Sequence, residues 1–190
     1  MTQINGSKTE QNLINAFAGE SQARNRYSYF AKIAQNEGYE QIAAIFHETA
    51  ENEKEHAKLF YTQLGNITGT VNAQYPFELG TTEENLESAL NGELEEWQIL
   101  YTAGESIAKE EGFENIAQLF HNIIQVEKYH YQRFVKLLEN VRNKTVFKKE
   151  IETCWKCREC GYILNNKEAP KECPNCHYPR AYFEILCENY

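Results

Sequence analysis

Residues 114–138 read ENIAQLFHNIIQVEKYHYQRFVKLL, and this stretch decides the fold. Ile116, Phe120, Ile123, Glu127, His130, Phe134 and Leu137 are spaced by alternating steps of four and three, so they share one face of a helix. The face is apolar except at its centre, where Glu127 and His130 stand one turn apart. The same series occurs 74 positions earlier as Ile42, Phe46, Thr49, Glu53, His56 and Phe60. The flanks repeat as well: EGYEQIA at 37–43 matches EGFENIA at 111–117.

Each of these helices has a partner upstream. Leu13, Phe17, Glu20, Tyr27 and Ala31 make one apolar face, and Leu86, Leu90, Glu93, Trp97 and Leu100 make another. Gly19-Glu20 matches Gly92-Glu93 at an offset of 73, so the third helix carries one extra residue between its Glu and the following Gly break. A single extra residue is often absorbed as a π-turn at a functional site, and one is expected near 96–104. Ser7 with Glu10 and Thr81 with Glu84 are capping-box starts. Helices are therefore expected over about 7–37, 39–64, 81–111 and 113–141. Gly65, Gly69, Pro76 and Gly80 break the helical period over 65–81, which reads as one long crossover between two halves of a four-helix bundle. The fold class is mainly α, with two-fold pseudo-symmetry and the site on the axis.

Burying four carboxylates in one bundle core costs several kcal/mol per ion, on the order seen for unpaired buried charges. Cations remove the conflict. One Glu from each of two helices (Glu20, Glu93) and Glu-x-x-His from each of the other two (Glu53/His56, Glu127/His130) is the donor set of ferritin-like di-metal bundles. Residues i and i+3 share a face and reach one metal. Mostly oxygen donors with two imidazoles suit iron or manganese better than zinc. Glu96, three residues after Glu93, adds a fifth carboxylate to the same face. Tyr27 and Tyr101 either donate O–H bonds to these carboxylates or simply pack in the core. His47 and His121, beside the stripe, and Glu51 and Glu55, off it, read as structural or solvated positions.

All six cysteines lie beyond residue 153, and three of the four prolines lie there too. Residues 143–153 are charged and poor in apolar side chains and read as a linker, so the chain divides into a bundle over 1–148 and a small β-rich domain over 149–190. Two CxxC knuckles twelve residues apart point to a tetrahedral all-thiolate metal site. Cys154, Cys157 and Cys160 form overlapping CxxC pairs. Cys157 and Cys160 are chosen because Gly161 allows the tight turn that aims amides at sulfur, and Cys173 and Cys176 form the second knuckle. Cys154 and Cys187 are then spare, and spacing alone does not separate zinc from iron.

The totals agree. Apolar residues make up 42% of 190, enough for a bundle core. The net charge of −9 argues against nucleic acid as a partner. No run reaches 18 apolar residues, so no membrane span is expected. Residues 1–11 lack an apolar segment, so no secretion signal is expected, and the clustered cysteines suit a reducing compartment.

Gly19-Glu20, Glu53-x-x-His56, Gly92-Glu93-x-x-Glu96-Trp97, Tyr101, Glu127-x-x-His130 and the set from Cys157 to Cys176, taken in order, resemble the rubrerythrin family over nearly the whole chain. The resemblance implies a rubredoxin-like domain with iron on its four cysteines and a di-iron site in the bundle. It implies a peroxidase that reduces hydrogen peroxide to water, protecting an oxygen-sensitive cytoplasm from oxidative stress. By that resemblance Glu53 and Glu127 bridge, Glu20 and Glu93 are terminal, His130 binds the second iron, and Glu96 and His56 exchange on the first. It also implies at least a homodimer, in which the four-cysteine iron of one subunit serves its partner's di-iron site. With no GxGxxG motif, electrons from NAD(P)H would arrive through a separate reductase or rubredoxin. Ferrous iron oxidation or storage is the alternative function, because fold alone does not decide chemistry. The chain departs from the family pattern at the spare cysteines Cys154 and Cys187, which leave a different ligand register open. It also departs at His177, where simple rubredoxins usually carry Gly.

Overall fold

The computed structural model describes residues 4–189, so residues 1–3 of the polar amino-terminal stretch lie outside the described residues. Five α-helical segments form the first part of the chain: α1 (Lys8–Asn36), α2 (Glu40–Leu64), α3 (Thr82–Glu95), α4 (Tyr101–Glu110) and α5 (Glu114–Arg142). A π-helical turn, Glu96–Leu100, joins α3 to α4, so the expected third helix is continuous but carries its extra residue where the offset change demanded one. The ladder shift has a consequence for the stripe. Leu100, expected on the apolar face, is half exposed, whereas Tyr101 and Gly104 are buried.

Local sequence sets the ends. The Ser7 hydroxyl caps α1 through the Glu10 amide, and Thr81 with Glu84 makes a reciprocal capping box at α3. Gly38 and Gly112 adopt φ of +83° and +80°, which L-residues avoid, and turn α1 into α2 and α4 into α5 by the same hydrogen-bond pattern. The glutamates before these glycines act across the bundle. Glu37 accepts from the Thr82 amide at the start of α3, and Glu111 accepts from the Lys8 and Thr9 amides at the start of α1. The sequence repeat is thus a structural two-fold, each hairpin capping the other.

The bundle core has two parts. Tyr27, Phe30, Phe46, Leu86 and Phe134 fill one end; Leu13, Phe60, Tyr101, Phe120 and Ile123 fill the other. The repeat maps Tyr27, Phe46 and Phe134 onto Tyr101, Phe120 and Phe60, so the axis passes between the two cores. Residues 65–81 have no regular structure and lie along α1, held by Gln11 to the Thr70 carbonyl, Asn15 to the Asn72 amide, and the Tyr75 hydroxyl to the Asn15 carbonyl.

The second part is a three-stranded antiparallel sheet in the order β2 (Ile163–Glu168), β1 (Lys148–Cys157), β3 (Phe183–Ile185). Trp155, Cys157, Ala169, Cys173 and Phe183 form its core. The stretch read as a linker over 143–153 is corrected here: β1 begins at Lys148 and pairs with Glu168. Its first residues are charged because most are exposed, so the strand lacks the alternation that burial of one face imposes. The sheet domain meets the bundle at the start of α2. Phe147 stacks on Tyr39, with ring centres 6.1 Å apart, and the Glu40 carboxylate lies close enough to Tyr182 to raise its phenol above the usual range.

Candidate metal centres

Between the two aromatic cores, α1, α2, α3, the π-turn and α5 aim seven ionisable side chains inward. Glu20, Glu53, Glu93, Glu96, Glu127, His56 and His130 are all buried. Two groups of donor atoms each fit within 4.8 Å: Glu20, Glu53, His56 and Glu127, and Glu53, Glu93, Glu127 and His130. Glu53 and Glu127 belong to both, so they sit between two adjoining positions. Glu96 lies outside both groups. Nδ1 of His56 is 2.8 Å from Glu53 and 2.9 Å from Glu127, and Nδ1 of His130 is 3.1 Å and 2.9 Å from the same pair. The Tyr101 hydroxyl donates to Glu20 and the Tyr27 hydroxyl to Glu93, each at 2.6 Å. The tyrosines therefore touch the carboxylates and pack in the core as well.

The electrostatics are those of a site built for cations. Burial, then the neighbouring carboxylates, pushes Glu20, Glu93 and Glu96 well above the usual carboxyl range. Burial also pushes Glu127 upward, but the close approach of the His130 and His56 rings holds it down at about 2. Burial works against charging His56, yet Glu127 and Glu53 raise it to about 10. The donor atoms turned inward are left without hydrogen bonds: both oxygens of Glu53 and Glu127, one each of Glu20 and Glu93, and Nδ1 of both histidines. Buried polar atoms are normally satisfied, so their concentration at one point fits two metal ions. The oxygen-rich set with two imidazoles suits iron.

Cys157, Cys160, Cys173 and Cys176 bring their sulfurs within 4.8 Å of one another. Cys160 and Cys173 approach to 3.6 Å and Cys157 and Cys176 to 3.8 Å. A tetrahedron with metal–sulfur bonds of about 2.3 Å has edges of about 3.8 Å, so the four thiols fit one metal. The knuckles are copies of each other: the Cys157 and Cys173 amides bond the Tyr162 and Tyr178 carbonyls, and Gly161 and His177 turn with φ of +75° and +62°. The Asn175 side chain and the Tyr162 backbone hold the exposed Cys160 thiol down to about 6. Against a lowering bond from the Tyr178 backbone, burial and the neighbouring thiols push Cys176 up to about 12. Cys154 and Cys187 are free thiols outside the cluster.

Three further features surround the bundle site. His47 and His121 are exposed, away from the donors. A cleft of about 510 Å³ lies beneath the crossover and reaches Glu96, Tyr27 and Tyr101, with Gly19, Gly92 and Tyr75 in its wall. Asn52, to which the sequence reading gave no role, faces the outer nitrogen of His130 at 3.3 Å. Its signal in the sequence is a break in the repeat, since Val126 stands at the matching position.

Two family models match the chain: "Rubrerythrin" over residues 11–138 and "Rubrerythrin, rubredoxin-like domain" over 155–184. Rubrerythrin of Porphyromonas gingivalis is 51% identical over 98% of this chain and 94% of its own length. Rubrerythrin of Nitratidesulfovibrio vulgaris is 42% identical over the full length of both chains. Among solved structures, nigerythrin in a mixed-valence state matches with a TM-score of 0.62 at 31% identity, over 97% of this chain and 92% of its own. Mycobacterium tuberculosis bacterioferritin shares the fold, with a TM-score of 0.64 at 21% identity over 75% of this chain and 90% of its own. No helix among the described residues is long and apolar enough to cross a membrane. With a ferritin-like site suited to two irons and a four-cysteine site suited to one, the chain belongs to the rubrerythrin family of di-iron oxidoreductases associated with oxidative stress.

Proposed function

We propose that the protein reduces hydrogen peroxide to water in its bundle, with electrons relayed through the four-cysteine iron from an external rubredoxin or NAD(P)H-linked reductase. The observation that carries this reading is the presence, in one chain, of a buried two-metal donor set and a separate tetrathiolate site. Storage of iron needs the first and not the second. When bound, iron supplies the electron chemistry: two electrons to the peroxide O–O bond from the bundle site, restored one at a time from the thiolate site. Glu53 and Glu127, common to both donor groups, would hold both metals; Glu20 and Glu93 would each hold one, and His130 would hold the second. Glu96 and His56 would alternate in holding the first. The position of Glu96 outside both donor groups and in the wall of the cleft beneath the crossover supports that role. Tyr101 and Tyr27 stay protonated, because burial and then the adjacent carboxylates raise them well above the usual phenol range, so each keeps donating to its carboxylate. The cleft gives a small polar oxidant a route to Glu96.

The test is rapid anaerobic mixing of the fully reduced protein with hydrogen peroxide and, separately, with dioxygen, following the visible absorbance of both iron sites. Fast oxidation of both by peroxide and slow reaction with dioxygen is the expected result. Fast dioxygen consumption with sluggish peroxide turnover sinks the proposal and moves the protein to ferrous iron oxidation and iron handling.

A further inference from the structure

The two-fold repeat that builds the bundle site is broken at two places beside it. On the first helix, the residue three after the key glutamate is Ala23; on the third, it is Glu96. The second break lies immediately before each bridging glutamate of the proposed set. Asn52 precedes Glu53 on α2, and Val126 precedes Glu127 on α5. Both positions are half-buried. Asn52 reaches across the bundle: its side-chain oxygen lies 3.3 Å from Nε2 of His130, while Nδ1 of that ring points at Glu53 and Glu127. An acceptor at Nε2 keeps the proton there and leaves the lone pair on Nδ1, the tautomer a metal requires. The repeat carries the Asn52–His130 pair onto Val126–His56. Valine has no polar atom, so it cannot anchor the His56 ring in this way.

We infer that Asn52 is a positioning residue that locks His130 as a fixed ligand, and that Val126 at the matching position leaves His56 as the arm free to leave its metal. The pair Asn52/Val126 thereby decides which half of a nearly symmetric site is rigid and which changes. Glu96 stands on the third helix with no carboxylate counterpart on the first, so the released histidine and the spare carboxylate together set the changing half apart. This deepens the ligand assignment proposed above and rests on it.

The test is an anaerobic cobalt(II) titration of the metal-free full-length protein, with the four-cysteine site recognised by its intense thiolate charge-transfer absorbance and the two bundle sites by their weaker bands. In Asn52→Leu, one bundle site weakens about 10- to 100-fold while the other holds. Asn52→Asp, which keeps an acceptor, restores the affinity. In Val126→Asn, the other bundle site tightens. Far-UV circular dichroism of each variant reports folding, and Val126→Asn tests the inference even where Asn52→Leu fails to fold. Equal weakening of both bundle sites, unchanged titrations, or an Asp variant as weak as Leu overturns it. Cobalt binding does not depend on the oxidant used, so this result stands apart from whether peroxide or dioxygen is the substrate.

Discussion

Tyr101 and Tyr27 donate 2.6 Å hydrogen bonds to Glu20 and Glu93, and both hydroxyls are buried with them. Removing one leaves a buried carboxylate oxygen without its partner, a loss of about 1–3 kcal/mol. Tyr101→Phe should therefore weaken ferrous iron at the Glu20 position about 10- to 100-fold in anaerobic competition with a chelator, with little change in helix content. An unchanged affinity would mean that the tyrosine only packs. His177 is read differently once its backbone is seen. Its φ of +62° matches the +75° of Gly161 in the first knuckle, so a side chain occupies a conformation that glycine adopts without strain. Its ring contacts Glu172 at 2.7 Å, a local partner for the departure from the usual Gly.

At the scale of elements, the π-turn Glu96–Leu100 is the largest departure from the repeat. Glu20 and Tyr27 are seven residues apart on a regular helix, and Glu93 and Tyr101 are eight apart across the π-turn, yet Tyr27 donates to Glu93 and Tyr101 to Glu20 across the core in the same way. Deleting the exposed Ile99 should restore the regular ladder and the seven-residue spacing. The expected outcome is a thermal midpoint no lower than that of the parent, with a slower reaction with peroxide because Glu96 no longer sits in the turn. A large loss of stability would show that the turn serves the fold. The reciprocal caps give a pH test. Bonds from the Thr9 hydroxyl, the Thr9 amide and the Lys8 amide hold Glu111 below the usual carboxyl range. Its folded pKa is depressed, so its contribution is complete above the unfolded value of about 4.3 and is lost as pH falls through the folded value. Glu111→Gln should lower the thermal midpoint at neutral pH, and the difference from the parent should shrink on acidification; a gap independent of pH would refute the cap.

At the scale of the whole molecule, the sheet domain meets the bundle at Tyr39 and Glu40, where α2 begins. Glu53 lies thirteen residues further along that helix, about 20 Å at 1.5 Å per residue. A relay in which the four-cysteine iron of one subunit serves the bundle of another requires an assembly of at least two chains. Sedimentation of the iron-loaded protein should show at least a dimer, and a monomer at micromolar concentration would count against that relay.

The helices, their breaks and the seven buried ionisable side chains were legible from periodicity alone, because a face buried on every turn repeats at 3.6 residues and a carboxylate on that face is conspicuous. The cysteine knuckles were legible because a tetrahedral site needs closely spaced pairs. The π-turn was foreshadowed by the change of offset between Glu20/Glu93 and the later pairs. β1 was not legible at its start, since an exposed strand carries no one-sided pattern. Nor was the pairing of Asn52 with His130, because it joins residues 78 positions apart on different helices. Sequence periodicity determines which face of an element is buried; which outward-leaning side chain meets which neighbour depends on the angle and register at which the helices pack, and only the tertiary structure decides that.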